Sequence, residues 1–242
     1  MDPHAMEPFG LALLAFEAGD ESAEVGILRD DGLFVSVPAA HFFRSVPEAA
    51  GLEALALDCC RGPVLDAGAG TGRHALALQQ AGVDVTALDL CPAAVEIMRR
   101  RGVKDARFGD ILEFDGGAYA TVLLLGHSIG SVETIAGLDR FLARMREVTT
   151  PDGQVLLDTV DVRATDDPVH LAYHDANRRA GRYAGEIRMA LEFRGLRAPY
   201  AGWLHLDGET LAERGARAGW ACEPLAAERG EALYRLSRAV PG

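Results

Sequence analysis

The chain is short of several things, and each shortage removes a class of protein. Cysteine is scarce: four occur in 242 residues, and two of them, Cys59 and Cys60, are adjacent. That arrangement supplies neither a disulfide framework nor a spaced zinc-ligand set, so a reducing compartment is expected. Long apolar runs are missing as well; none approaches the roughly 18 residues that a membrane-crossing helix needs, so no membrane partner is expected. Cations are outnumbered, with 24 Lys and Arg against 36 Asp and Glu and a formal charge of −12. Nucleic-acid binding depends on clustered cations that neutralise phosphates, so the expected partner is a small molecule or a peptide. The opening residues Met1 to Glu7 carry no basic region and no apolar core of a secretory leader. A cytoplasmic setting is therefore expected, and Met6 can itself serve as a start. No repeat, linker or low-complexity tract is present.

One further absence sharpens the most informative stretch. From Val64 to Gly72 an apolar run ends in Asp66 and three alternating glycines, Gly68, Gly70 and Gly72; a helical pattern follows, then a second apolar run ending in Asp89. This is strand, glycine turn, helix, strand, the first half of a nucleotide-binding crevice. Glycines let the backbone turn sharply and approach a ligand, and the helix that follows offers free N–H groups. A dinucleotide fingerprint requires a third glycine at position 73, where this chain has Arg73. The pattern is instead Asp-x-Gly-x-Gly-x-Gly. That string resembles motif I of the class I S-adenosylmethionine-dependent methyltransferases, and the spacing, the leading acid and the downstream Asp89 agree with it. Two other readings stand beside it: a nicotinamide-dependent oxidoreductase on a similar sheet, against which Arg73 speaks, and a noncatalytic protein that binds the cofactor.

Periodicity supplies the architecture. Pro8 to Ala18 reads as a helix, and Val25 to Arg29 and Leu33 to Val37 as strands around an Asp30-Asp31-Gly32 turn. A helix from Pro47 to Asp58 leads into a strand at Pro63 to Ala67. Helix Ala75 to Gln80 stops at Gly82, and Pro92 to Arg101 is bounded by an N-terminal proline, a basic last turn and Gly102. Ala106 to Ile111 reads as a third strand. The largely apolar run Ala120 to Leu125 reads as a central strand buried on both faces. Leu138 to Val148 is helical, and Pro151-Asp152-Gly153 turns into a fifth strand, Gln154 to Val160. After residue 162 the rhythm changes: Ala164 to Arg179 is polar, Tyr183 to Arg194 alternates, Tyr200 to Leu206 is a partner strand, and helix 208–218 precedes a terminal hairpin around Arg229-Gly230. The expected fold is α/β: a doubly wound, Rossmann-like seven-stranded sheet with an antiparallel last strand. Residues 1–45 form a cap or lid that is not independent. Residues 46–242 form the catalytic domain, with a β-rich insertion at about 162–206.

The resemblance also implies roles. Asp66, Ala67, Gly68, Gly70 and Gly72 would form the turn under the methionine part of S-adenosylmethionine, whose product is S-adenosylhomocysteine. Asp89 would take the ribose hydroxyls and Leu90 the adenine, Asp110 and Ile111 would meet the adenine amino group and ring, and Gly126 would expose backbone to the cofactor. His127, at a strand tip, is the candidate base, since an imidazole exchanges protons near neutral pH. Gly126-His127-Ser128 looks like a variant of the Gly-Asn-Ser loop of several small-molecule N-methyltransferases. The Asn/Asp-Pro-Pro-Tyr/Phe signature for planar nitrogens is absent. Asp158 and Asp161 are expected to face solvent or the lid, and no metal site is expected. Acceptor contacts are expected from Phe43, Arg44, Ser128, Tyr183, Arg188 and Trp203, with Tyr173 and His174 nearby. The implied activity is methyl transfer to N or O of a small molecule.

Overall fold

The computed structural model describes residues 1–46, 51–228 and 230–239. Pro47 and Glu48, where the second helix was expected to begin, and Arg229 of the terminal turn lie outside the described residues. Helix α1 (Glu7–Glu17) opens on Pro8, whose fixed φ suits a first turn. Strands β1 (Glu24–Arg29) and β2 (Phe34–Pro38) pair antiparallel, Val25 opposite Val37 and Ile27 opposite Val35. Helix α2 (Leu52–Asp58), strand β3 (Val64–Ala67), helix α3 (Arg73–Gln80), strand β4 (Val85–Asp89) and helix α4 (Pro92–Arg101) follow. Gly102 closes α4 at φ 95°, the left-handed position expected of it.

Strand β5 (Ala106–Phe108) is shorter than its apolar pattern suggests, because Asp110 turns the chain by accepting the Leu112 N–H. Strand β6 (Tyr119–Leu124), helix α5 (Ile135–Val148) and strand β7 (Thr149–Val160) come next. The Pro151-Asp152-Gly153 turn lies inside β7 as an irregularity: Tyr119 pairs with Thr149 and Thr121 with Gln154, so residues 150–153 have no partner on β6. The chain is completed by α6 (Pro168–Arg179), β8 (Glu186–Phe193), β9 (Leu196–Arg197), β10 (Ala201–Leu204), α7 (Gly208–Arg217), β11 (Trp220–Glu228) and β12 (Glu231–Arg238).

Seven strands form one sheet in the order β11-β12-β7-β6-β3-β4-β5, and β12 runs antiparallel to β7. The continuous apolar runs are explained by burial on both faces. Leu65, Val122, Leu124, Val155 and Leu157 point into one core, whereas Val64, Leu123, Leu125 and Leu156 point into the other. The strand order reverses at β3, so the crevice beyond the carboxyl ends of β3 and β6 is where a doubly wound sheet receives ligands.

The second sheet is the departure from expectation. Strands of the N-terminal cap and of the insertion, which read as separate additions, hydrogen-bond into one antiparallel sheet, β10-β8-β1-β2, with β9 on β8. Arg29 lies opposite Met189, and Ile187 opposite Trp203. Helix α1 fastens the two sheets together: Leu13 packs with Ala94 and Ile97 of α4, and Ala12 with Val25 and Leu191. Among the described residues no helix is long and apolar enough to cross a membrane.

Candidate functional site

Between the two sheets lies a cavity of about 670 Å³, floored by the strand ends of β3 to β6 and roofed by the inner face of β1, β2, β8 and β10. Its floor is built by the glycine turn. Gly68 and Gly70 hold φ of 75° and 57°, values that side-chain-bearing residues resist. A Cβ on Gly68 would lie 2.5 Å from the Ser128 Cβ, whereas one on Gly70 would meet nothing within 4 Å, so the Gly70 backbone opens onto the cavity. Gly72 serves packing instead, since a Cβ there would strike Val103 and Met98 behind the turn. Asp89 organises the turn by accepting the Gly70 N–H at 2.7 Å and the Cys91 N–H at 2.8 Å. Burial pushes its carboxyl up to about 6.

Asp66 sits deeper, 1% exposed, and its Oδ2 has no hydrogen-bond partner among the described residues. Burial raises its pKa too. Beyond β5, Asp110 and Ile111 line the same end of the cavity, the Asp110 carboxylate accepting from the Met1 amino group at 2.9 Å. Ala67 and Leu90 complete this wall.

The loop after β6 forms the opposite lip. Gly126 and His127 are both left-handed, at φ 67° and 60°. A left-handed histidine costs roughly 1–2 kcal/mol, offset here by Asp158, whose carboxylate accepts the N–H of Gly126 and of His127, each at 2.8 Å. Asp158 is thus a buried brace of the loop, not a solvent-facing acid; burial raises its pKa, and His127 opposes that rise. The His127 Nε2 lies 3.4 Å from Glu231 Oε1. The Ser128 hydroxyl donates to the Ala67 carbonyl at 3.0 Å, tying the two loops together. Trp203 covers Gly130 so closely that a Cβ there would lie 2.1 Å from the indole nitrogen.

Of the residues expected to contact an acceptor, Ser128 and Trp203 line the cavity and four others do not. Phe43 packs on Phe16 and under Arg101, on the far side of its 3₁₀ turn. Arg44 bends back to the His41 carbonyl and ring. The Tyr183 hydroxyl donates to Asp207 outside the cavity. Arg188 occupies the outer face of β8, because alternation that turns Ile187 and Met189 inward turns Arg188 outward. His174, expected in the acceptor pocket, lines the cavity, as do His41 and Phe42; Arg29, Thr71, His170 and His205 line it too and carried no motif. The available signals were parity, since Val25, Ile27 and Arg29 share a strand face, and the i, i+4 spacing of His170 and His174. Six of the seven histidines of the chain line this one cavity. Among the described residues no group of His, Cys, Asp or Glu is arranged to hold a metal ion.

The floor fits S-adenosylmethionine: an open glycine backbone, a strand-end carboxylate at Asp89 and a second at Asp110 surround one cavity end. The profile of the family described as "Methyltransferase domain" matches residues 28–225. No curated protein matches the chain. Among solved structures, a SAM-dependent methyltransferase from Bacteroides fragilis in complex with S-adenosyl-L-homocysteine is 28% identical, with a TM-score of 0.85 over 98% of this chain and 97% of that one. Two others share the fold. CcbJ from Streptomyces caelestis is 14% identical, with a TM-score of 0.58 over 82% of this chain and 98% of its own. The sugar N-methyltransferase KedS8 from Streptoalloteichus is 17% identical, with a TM-score of 0.58 over 86% and 96%. The glycine turn, the strand order that sets Asp89 beside it and the family match over most of the chain converge, and the chain belongs to the S-adenosylmethionine-dependent methyltransferases.

Proposed function

We propose that this methyltransferase transfers its methyl group to a nitrogen or oxygen of a small molecule held between the two sheets. The cavity carries this reading: it is walled on both sides, and its 670 Å³ suits a cofactor and a compact acceptor. The net charge of −12 argues against a nucleic-acid acceptor. The sugar N-methyltransferase KedS8 and the glycopeptide N-methyltransferase MtfA, which share the fold, are consistent with N as the receiving atom.

In this reading the backbone of Gly68 and Gly70 and the carboxylate of Asp89 hold the cofactor's methionine and ribose parts, with Leu90, Asp110 and Ile111 around the adenine. When bound, the cofactor supplies an activated methyl carbon on a sulfonium. The protein contributes orientation and exclusion of water, since displacement requires the acceptor atom to be close and in line. His127 takes the proton that an N–H or O–H acceptor gives up, and Glu231 orients its imidazole.

Two measurements test this. Calorimetric titration with S-adenosylhomocysteine should show binding. A panel of small N and O acceptors incubated with methyl-labelled S-adenosylmethionine should yield a labelled product. His127→Asn, which tolerates the left-handed backbone, should lower kcat about 10²-fold and leave S-adenosylhomocysteine affinity unchanged. An unchanged kcat removes His127 from the proton path, and cofactor binding with no turnover across the panel would recast the protein as a noncatalytic binder.

A further inference from the structure

The roof of the cavity is apolar except at one end. Alternation turns Val25, Ile27, Val35, Val37, Ile187 and Met189 toward the cavity, and Arg29 is the one charged residue on that strand face. Arg29 is 6% exposed, so its charge is directed inward and away from bulk water. Its guanidinium donates through Nε and one terminal nitrogen to Asp31, at 2.8 and 2.6 Å, and through the other terminal nitrogen to His170 Nδ1 at 2.9 Å. The Tyr173 ring covers its face, 4.3 Å from the centroid. Each terminal nitrogen therefore keeps one N–H in reserve, at the edge.

An arginine can only donate, so His170 Nδ1 must accept, and the His170 proton resides on Nε2. The wall thus offers a second fixed donor beside the first. His174 and His205 line the same end, and their rings make no hydrogen bond or ion pair among the described residues. The acids nearby are engaged: Asp31 by Arg29, Asp30 by the Tyr173 hydroxyl and Asp161 by Arg163. An ammonium group would meet donors and neutral imidazoles here. A carboxylate would meet a guanidinium edge and imidazole N–H groups, behind walls that exclude competing water.

Resting on the methyltransferase reading above, we infer that the acceptor has an apolar body, seated against the inner face of β1, β2 and β8, and a carboxylate received by Arg29 and His170. The amino pentose named for CalS10, which shares the fold, does not match this wall.

The test is a set of calorimetric titrations into protein loaded with S-adenosylhomocysteine, using benzoate, indole-3-acetate and decanoate, each paired with its primary amide, and glucosamine for comparison. At least one carboxylate should bind tenfold or more tighter than its amide, the scale of a charge-assisted hydrogen-bond pair. Arg29→Met should abolish that preference and leave S-adenosylhomocysteine affinity unchanged. His170→Phe removes one donor without touching the Arg29–Asp31 pair and should reduce the preference even if the Arg29 variant fails to fold. Equal affinities within every pair, no binding by any carboxylate, or tighter binding of glucosamine overturns the inference. Failure of S-adenosylhomocysteine itself to bind is a separate outcome that strikes the methyltransferase reading, and the carboxylate pairs are then compared on the free protein.

Discussion

Gly68 and Gly70 share a backbone conformation and differ in surroundings, so the same substitution should have different effects at each. At Gly70 a methyl group meets open space, and Gly70→Ala should cost only about 1 kcal/mol of stability, the left-handed penalty. It should nonetheless weaken S-adenosylhomocysteine binding tenfold or more, because the methyl occupies the cradle. At Gly68 the methyl collides with Ser128, and Gly68→Ala should cost about 2–4 kcal/mol in urea unfolding. Asp89 adds a pH dependence. Its carboxyl, at about 6, lies above the ordinary 3.8, so its stabilising contribution is complete below about pH 4 and is lost as pH rises through about 6. In the role proposed for Asp89, ligand binding runs the opposite way, since ribose hydroxyls donate best to the ionised form. S-adenosylhomocysteine affinity should rise about tenfold between about pH 5 and 7, and Asp89→Asn should flatten that rise. Asp89 was readable because a strand-end acid after a glycine turn is a pattern. Asp158 was not, because its role depends on two N–H groups from a loop 31 and 32 residues away.

The elements around the site act through their contacts. The β6 loop is held from below by Asp158 and from the side by Trp203 of β10, so the insertion reaches the floor of the cavity directly. Gly130→Ala should push the indole aside: acceptor KM should rise, S-adenosylhomocysteine affinity should stay within about twofold, and tryptophan emission should shift. An unchanged KM would mean that Trp203 does not shape the acceptor space. At this scale sequence reading was strongest where capping chemistry is local, as in α4 between Pro92 and Gly102. It was weakest where a long-range partner decides, as in β8, which read as part of a separate insertion and pairs with β1 of the N-terminal cap.

In the whole molecule the two sheets depend on each other. Strand β8 of the insertion pairs with β1 of the N-terminal cap, and α1 packs against both sheets. Removing residues 1–38 would therefore strip β8 of a neighbour and expose its apolar face, so the truncated chain should self-associate on size exclusion and bind a hydrophobic dye. A monodisperse truncated protein with wild-type cofactor affinity would show instead that the cap is dispensable. The sequence by itself determined the seven-stranded sheet, its antiparallel closing strand and the glycine turn after β3, because those follow from local periodicity and from a glycine pattern contained in a few consecutive residues. Only the tertiary structure decided that cap and insertion are one sheet, that Asp158 braces a loop, and that six histidines and Arg29 meet in one cavity. Strand partners and cavity walls are chosen by residues more than a hundred positions apart, and no local pattern records that choice.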